Sequence, residues 1–282
     1  MLLECVNHLK RQNKEYRSLH LFGQEKNVIT STIARMNMLL HGFEDAKIKR
    51  GDTLDEPLFL KKDKLEKFDV ILANPPYSIN RWNRKSFARD PYGRNIYGTP
   101  PQGRADYAFI QHIICSLSKI GRAAILLPHG VLFRDGEEHI RKKLVEYDKL
   151  EAVIGLPKDM FYNSVMESCI MIFKDKKDIT RKNKIQFINA VKEFERKNNK
   201  NFLTQLHIEK IVKAFIVFTD IENFSYVAKN TEVVSNNYSL SIPLYLKQKT
   251  RQEIPISKLA IKQWSESSQF LRNSLSKLVE GN

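Results

Sequence analysis

The sequence predicts an open, doubly wound α/β sheet, and three observations lead to this fold class. Apolar runs of strand length recur along the chain, for example Phe68 to Ala73 and Ala123 to Pro128. Between them lie segments whose apolar residues recur every three or four positions, as on one face of a helix. Glycines and charged turns mark the junctions. Strands that alternate with helices in this way form sheets with helices on both faces.

The first half of the chain supplies helices and strands in alternation. Residues 2–12 carry apolar side chains on one helical face, and residues 18–23 form a short strand that ends in a glycine. A second helix is predicted over residues 30–41, with Gly42 as its stop. A strand and a turn follow in "AKIKRGDTL", and the next strand begins at Phe68. This order is the βαβ unit of α/β proteins.

The second half continues the alternation and then changes in composition. A helix is predicted over Ala105 to Lys119 and another near Glu137 to Glu146, with buried strands in "AAILLP", "KLEAVIGLP" and "SCIMIFK". Beyond Lys174 the chain becomes polar and highly charged. We therefore predict one domain over residues 1–175 and a smaller, mixed and basic C-terminal extension over residues 176–282.

The extension ends in a predicted amphipathic helix. Trp264, Leu271, Leu275 and Leu278 follow one another at spacings of seven, four and three residues. This pattern fits a coiled-coil seam that packs on a partner. It fits equally well a helix that lies on its own domain.

Composition narrows the classes of function. The net charge of +15 favours a polyanionic partner, because basic surfaces release counterions from phosphates, although a solvated basic surface is the alternative. Cys5, Cys115 and Cys169 are far apart in the sequence, so no disulfide framework is predicted. No two histidines have the spacing typical of metal ligands, so no metal site is predicted. No apolar run approaches the ~20 residues of a membrane span. We therefore expect a cytoplasmic protein without a membrane partner.

The strand that begins at Phe68 runs into the loop Asn74, Pro75, Pro76 and Tyr77. The prolines lack N–H groups and hold the chain extended, so a side-chain amide, free carbonyls and an aromatic ring are fixed at the carboxyl end of a strand. In open α/β sheets, ligands bind at that end. An ordinary Asn-Pro turn is the alternative interpretation.

The loop suits chemistry on a planar amine such as the exocyclic nitrogen of adenine. If Asn74 Oδ1 and the Pro75 carbonyl each accept one N–H from the amine, its nitrogen becomes more tetrahedral and its lone pair can point at an electrophile. Tyr77 would stack on the base. Because a base inside a duplex cannot reach such a site, the nucleotide must be flipped out.

A long aperiodic segment, Ser78 to Gly103, follows the loop and is rich in arginines and aromatic residues. A loop of this length inside a compact domain is unusual unless it is functional. We predict that it contacts DNA, with its basic side chains near the phosphates, although simple solvation is the alternative for each arginine. The predicted contacts are Arg81, Trp82, Arg84, Arg89 and Arg94.

Several long segments in one order resemble a known family. They include "LFGQEKNVITSTIARMNMLLHG", "GDTL", "VILANPPYS", "GRAAILLPHGVLFR" and "YSLSIPLYL", and the resemblance spans residues 2–246. The sequence is similar to the modification subunit of type I restriction–modification systems, an N6-adenine DNA methyltransferase that uses S-adenosylmethionine. The resemblance implies a Rossmann-like methyltransferase sheet, double-stranded DNA as substrate, and a specificity subunit and a restriction subunit as partners.

The resemblance also implies residue roles. Glu25 matches the acid that binds the cofactor ribose hydroxyls, and Asp52 matches the residue beside the cofactor adenine, with Thr53 and Leu54 as its neighbours. On residues alone, both acids would be ordinary capping or turn carboxylates. The catalytic loop is matched by Asn74, Pro75, Pro76 and Tyr77.

One departure from the family concerns the cofactor site. Family members carry a helical N-terminal region, a strand and a glycine-rich loop before the segment that matches Met1 to Glu4, and no Gly-x-Gly follows a strand in residues 1–70. We therefore expect a sheet that lacks its first strand and has two unpaired strand edges. We also expect impaired methylation by the chain alone, which a separate chain carrying the missing region would restore.

Two other functions remain as alternatives. The chain would be a noncatalytic DNA-binding or assembly remnant if it bound DNA in a salt-sensitive way without binding the cofactor. A methyltransferase acting on a protein glutamine or on RNA would use the same loop chemistry, but the arginine-rich insertion argues against it.

Overall fold

A computed structural model describes residues 1–161, 166–198 and 200–246. The predicted tail helix lies outside these residues. The helices are α1 (Leu2–Arg11), α2 (Val28–Leu40), α3 (Arg84–Ala88), α4 (Asp106–Cys115), α5 (Glu138–Glu146), α6 (Gln205–Val217), α7 (Asn230–Ser235) and α8 (Ile242–Tyr245). The strands are β1 (Phe22–Glu25), β2 (Lys47–Arg50), β3 (Leu60–Lys61), β4 (Lys64–Leu65), β5 (Phe68–Ala73), β6 (Leu117–Pro128), β7 (Leu150–Gly155), β8 (Ser168–Lys174), β9 (Lys184–Asn189), β10 (Glu195–Lys197), β11 (Lys200–Phe202) and β12 (Ser225–Lys229).

The predicted helices and strands of the first 175 residues are confirmed, with shifted ends. The strand expected at residues 18–23 lies at Phe22–Glu25 instead. The helix expected to continue to Lys119 ends at Cys115, and β6 already begins at Leu117. Helix α2 starts at Val28 because Asn27 caps it, its side chain accepting the N–H of Thr30.

The central sheet is mixed and has the strand order β12-β9-β7-β8-β6-β5. Strand β5 is parallel to β6 and β7 is parallel to β9, whereas β8 runs antiparallel to both β6 and β7. The α/β fold class is thus confirmed, with a mixed central sheet. Strands from both sides of residue 175 belong to this sheet, and the domain boundary at that position stays a prediction.

Helices cover the sheet on both faces. One cluster of buried side chains joins α4 and α5 to β6, and its fully buried members include Tyr107, Ile110, Ile125, Leu127, Ile140 and Leu144. A second cluster packs Ile211 and Ala214 of α6 against Ile154 and Ile188. In the described part of the chain, no helix is long and apolar enough to cross a membrane.

Strand β5 is an edge strand in the described part of the chain. Strands β1 and β2 form a separate parallel pair, and β5 has β6 as its neighbour on one side. Ile71 packs against the main core, but Val70 is 61% exposed and Leu72 is 42% exposed. The apolar sequence of this strand does not by itself reveal that one of its faces is left open among the described residues.

Candidate active site

Asn74 follows the last residue of β5 and is exposed. Its amide makes no hydrogen bond to any described residue, and the carbonyl of the buried Pro75 accepts none from the described backbone. The prolines hold the loop extended, so it does not fold back into a turn whose N–H would cover this carbonyl, and the N–H of Ser78 donates to Asp106 instead. The loop therefore presents an amide oxygen and a carbonyl oxygen that can accept hydrogen bonds from a ligand.

Tyr77 is half-buried beside the loop. Burial raises the pKa of its hydroxyl to about 12, and the nearby Cys169 and Asp106 act in the same direction. The hydroxyl is therefore protonated at neutral pH. The partly exposed ring is available for stacking on a planar ligand.

The loop ends at Ser78, which has a left-handed backbone with φ of 48°. Its N–H donates to Oδ1 of Asp106 at 2.9 Å, and its hydroxyl donates to Oδ2 at 3.4 Å. Arg134 donates to the same Oδ2 at 2.9 Å and to Ser78 Oγ at 3.4 Å. Asp106, at the start of α4, is 1% exposed, so a buried carboxylate joins the loop to the arginine.

Glu137 lies beside Arg134, but its carboxylate, unlike that of Asp106, lacks hydrogen bonds within the described part of the chain. It is 1% exposed, and neither carboxylate oxygen has a hydrogen-bond partner among the described residues. Its Oε2 lies 3.7 Å from Nη1 of Arg134. Burial raises the pKa of Glu137 to about 7, although the charge of Arg134 opposes that shift.

Glu25 is the last residue of β1 and is half-buried. Its Oε1 accepts the N–H of Asn27 at 2.7 Å, so the acid also shapes the turn into α2. Its Oε2 has no hydrogen-bond donor among the described residues. This oxygen keeps the capacity to accept a ligand hydroxyl.

Asp52 lies in the loop after β2. Its Oδ2 pairs with Nζ of Lys26 at 2.7 Å, and its Oδ1 accepts the N–H of Leu54 at 3.0 Å. Burial raises the pKa of Asp52, but the hydrogen bonds from Lys26 and Leu54 outweigh it, so the net pKa is lowered. The carboxylate is charged at neutral pH and joins the ends of β1 and β2.

Arg94 is buried, so the structure does not support the prediction that it contacts DNA. It is 1% exposed, and its guanidinium pairs with Asp90 at 2.6 Å. It also donates to the carbonyls of Thr53 and Leu54 at 2.8 and 2.7 Å. The arginine therefore holds the loop after β2 in place. The sequence did not reveal this because the carbonyls are 41 and 40 residues away.

The other predicted cofactor neighbours differ in accessibility. Leu54 is 5% exposed and packs with Phe87 and Ala105. Thr53 is half-buried. The role of both residues beside a cofactor stays a prediction, and in the structure Leu54 packs against Phe87 of α3.

The other four predicted DNA contacts form two groups, side chains that are hydrogen-bonded within the chain and side chains that are exposed. Trp82 donates to the Gln102 carbonyl at 2.8 Å and Arg84 donates to the Pro100 carbonyl at 2.8 Å, so both close the loop on itself. Arg81 and Arg89 are exposed. Their contact with DNA stays a prediction.

The loops that carry the predicted residues contact one another. The rings of Phe22 and Phe68, the first residues of β1 and β5, lie 5.2 Å apart between centroids. Beyond the other ends of these strands, Asn83 of the arginine-rich loop donates to Asp55 at 3.0 Å. The loops after β1, β2 and β5 thus meet, as expected of strand ends that share one edge of an α/β fold.

Sequence reasoning missed Asp106, Arg134 and Glu137. One signal was present, since Asp106 opens a helix whose next residues are almost all apolar. A carboxylate in such a position is buried and requires a partner. The partner itself, 28 residues further along the chain, could not be identified from spacing.

The mixed sheet with helices on both faces is an α/β fold that matches the fold of a solved methyltransferase subunit. The model of the family described as N-6 DNA Methylase matches residues 1–254, and the chain belongs to that family.

Relatives support this assignment. The MjaVII methylase subunit of a type I restriction enzyme from Methanocaldococcus jannaschii is 36% identical over 258 residues, which cover 87% of this chain and 43% of that protein. The MpnII methylase subunit from Mycoplasma pneumoniae is 31% identical, with 99% and 53% covered. The crystal structure of a type I methyltransferase subunit from Streptococcus thermophilus is 38% identical with a TM-score of 0.78, with 86% of this chain and 51% of that chain covered. The chain thus spans about half the length of these relatives.

Proposed function

We propose that this chain acts in N6-adenine methylation of DNA, as part of the modification subunit of a type I restriction–modification system. The observation that carries the proposal is the pair of free acceptors, Asn74 Oδ1 and the Pro75 carbonyl, at the carboxyl end of β5. Membership of the N-6 DNA methylase family supports it.

The loop residues act on the target amine. Asn74 and Pro75 each accept one N–H of the exocyclic nitrogen, which turns its lone pair out of the ring plane. Tyr77 stacks on the base after the nucleotide has left the duplex. Methyl transfer would leave the nitrogen cationic, the methyl–sulfur bond of the donor would break to give a neutral thioether, and one N–H proton would pass from the nitrogen to water. Asn74 and Pro75 are polar acceptors that stabilise the developing positive charge.

The donor is S-adenosylmethionine, which supplies an electrophilic methyl group when bound. The free Oε2 of Glu25 suits the ribose hydroxyls, and the charged Asp52 suits donors at the adenine end. Thr53 and Leu54 line the same loop, which Arg94 holds.

The DNA and protein partners follow from charge and from the family. The net charge of +15 and the exposed Arg81 and Arg89 fit binding to double-stranded DNA in the cytoplasm. The relatives are named as methylase subunits of type I restriction enzymes. A specificity subunit would therefore select the target sequence, and a restriction subunit would cleave.

The edge of β5 that is unpaired among the described residues can form backbone hydrogen bonds with another β-strand. A strand that paired with this edge would extend the sheet beyond β5 toward the β1–β2 pair, and a helix connected to it would cover Val70 and Leu72. We propose that a strand added at this edge, from the same protein or from a partner, completes the site and raises its activity.

The test is methyl transfer from tritiated S-adenosylmethionine to DNA by the chain co-expressed with a specificity subunit and the completing region. We expect Asn74→Ala to lower kcat roughly a hundredfold or more, the loss typical of removing one preorganised polar group. Cofactor binding, followed by calorimetry, should not change. Asn37→Ala, on the exposed face of α2, is the matched control and should keep full activity.

Two outcomes would contradict the proposal. Equal rates for Asn74→Ala and the unmodified chain would remove Asn74 from the reaction. Salt-sensitive DNA binding without cofactor binding or methylation, even in the completed assembly, would favour the noncatalytic alternative.

A further inference from the structure

We infer that Asp106 and Arg134 are positioning residues that hold the Asn74–Tyr77 loop in the shape required for its chemistry, with Ser78 as the point of attachment. The inference rests on the proposed function for its kinetic consequence. Its structural part concerns the chain alone.

The attachment point is a backbone conformation that needs support. Ser78 has φ of 48°, a value that is common for glycine and that residues other than asparagine and aspartate otherwise seldom adopt. Its N–H donates to Asp106 Oδ1 at 2.9 Å, so a buried charged acceptor holds the strained residue. Such strain persists only when the surrounding structure fixes it. Asp106 provides that constraint directly after Tyr77.

Arg134 orients Asp106 and brings an opposite charge to it. Its Nη1 donates to Oδ2 of Asp106 at 2.9 Å, on the side away from the Ser78 N–H. Burying a carboxylate without a cation or several donors is costly, so the arginine makes the buried acceptor possible. A second donor, Nη2, reaches Ser78 Oγ at 3.4 Å. The same guanidinium thus contacts both the carboxylate and the residue that the carboxylate holds.

The loop after β6 is shaped to receive this guanidinium. A Cβ added to Gly130 would lie 2.6 Å from Arg134 Nε and 2.8 Å from its Nη2. A larger residue at position 130 would push the guanidinium away from Asp106. The backbone carbonyl of Arg134 is in turn held by Arg141 Nη1 at 2.7 Å. The arginine is therefore fixed from both its backbone and its side chain.

The test uses Asp106→Asn, which preserves shape and removes the charge. The amide oxygen can still accept the Ser78 N–H, but the amide nitrogen would then face two donors, the Arg134 guanidinium and the Ser78 hydroxyl. We expect hydrogen–deuterium exchange of peptides covering residues 74–80 to become roughly tenfold to a hundredfold faster, the range for losing a hydrogen bond to a charged group. In the completed assembly, kcat should fall while the KM for S-adenosylmethionine stays unchanged.

Asp148→Asn is the matched control. Asp148 also joins a cation to a backbone N–H, accepting from Lys177 Nζ at 2.6 Å and from Asn183 at 2.9 Å. Its substitution should lower thermal stability by a similar extent without changing exchange at residues 74–80. Arg134→Met is the second variant and should also speed exchange in this segment. If Asp106→Asn does not fold, Arg134→Met tests the inference in its place.

The outcomes separate the two proposals. Faster loop exchange in Asp106→Asn, together with absence of methylation by the unmodified assembly, would support the positioning role and overturn the proposed function. Unchanged exchange at residues 74–80 in folded Asp106→Asn or Arg134→Met would overturn the positioning role, whatever the activity. Equal acceleration in Asp148→Asn would overturn it as well, because the effect would then be general loosening.

Discussion

At the scale of single residues, buried carboxylates decide how this site is built. Asp106 has a cation and a backbone N–H as partners, whereas Glu137 lies beside the same arginine without a hydrogen bond among the described residues. Burial therefore raises the pKa of Glu137 to about 7. A buried acid of this kind lowers stability whenever it is charged.

This environment predicts a pH-dependent stability. Because the folded pKa of Glu137 lies above its value of 4.5 in the unfolded chain, the folded state holds the proton more tightly. Its penalty is absent below pH 4.5, grows as the pH rises, and is complete above pH 7. Glu137→Gln should therefore raise the free energy of unfolding at pH 8 by up to about 3 kcal/mol.

Urea denaturation from pH 4 to pH 8 measures this effect. The difference between Glu137→Gln and the unmodified chain should disappear toward pH 4, where both side chains are neutral. Glu138→Gln, an exposed neighbour at the start of α5, is the control and should show no such trend. A pH-independent difference would contradict the assignment of the raised pKa to Glu137.

At the scale of elements, β5 combines a site and an open edge. One face carries Ile71 against the core, while the other leaves Val70 and Leu72 exposed. Unpaired strand edges with apolar side chains are sites of strand addition and self-association. The element that presents Asn74 is therefore also the element most suited to receive another strand.

Leu72→Lys tests this surface. Because Leu72 is 42% exposed, we expect the free energy of unfolding of the isolated chain to change by less than about 0.5 kcal/mol. Self-association in sedimentation velocity should fall, and rescue by a completing chain should weaken, since the charge opposes burial of this face. Ile71→Lys, on the core-facing side, is the control and should destabilise the chain. Equal destabilisation by both substitutions would show that Leu72 is buried in solution.

At the scale of the whole molecule, the net charge does not show which basic side chains are exposed. The net charge of +15 is a property of the composition, but only some arginines are available to DNA. In the segment that follows the Asn74–Tyr77 loop, Arg89 is exposed and Arg94 is buried against Asp90. The two residues belong to the same arginine-rich segment and have different roles.

A paired substitution separates these roles. Arg89→Met should lower DNA affinity and reduce the slope of log K against log salt by about one, with stability changed by less than about 0.5 kcal/mol. Arg94→Met should lower the free energy of unfolding by about 3–5 kcal/mol, because it leaves Asp90 buried without its cation. Fluorescence anisotropy across a salt series and urea denaturation measure the two quantities. A reversed pattern would contradict the burial of Arg94.

The sequence by itself determined the local features of this protein. Apolar periodicity located α1, α2, α4 and α5, and the run from Phe68 into Asn-Pro-Pro-Tyr located the strand and its loop, because these signals depend on neighbouring residues. The chemistry of the loop followed from the missing N–H groups of its prolines.

Only the tertiary structure decided which distant groups meet. Strand β8 lies between β6 and β7 and runs antiparallel to both, an order that periodicity does not encode. Ser78 contacts Asp106 across 28 residues and Arg134 across 56, and Arg94 is buried by carbonyls about 40 residues away. The physical reason is that burial and pairing depend on how elements pack, whereas residue type and spacing specify only what each segment is able to contribute.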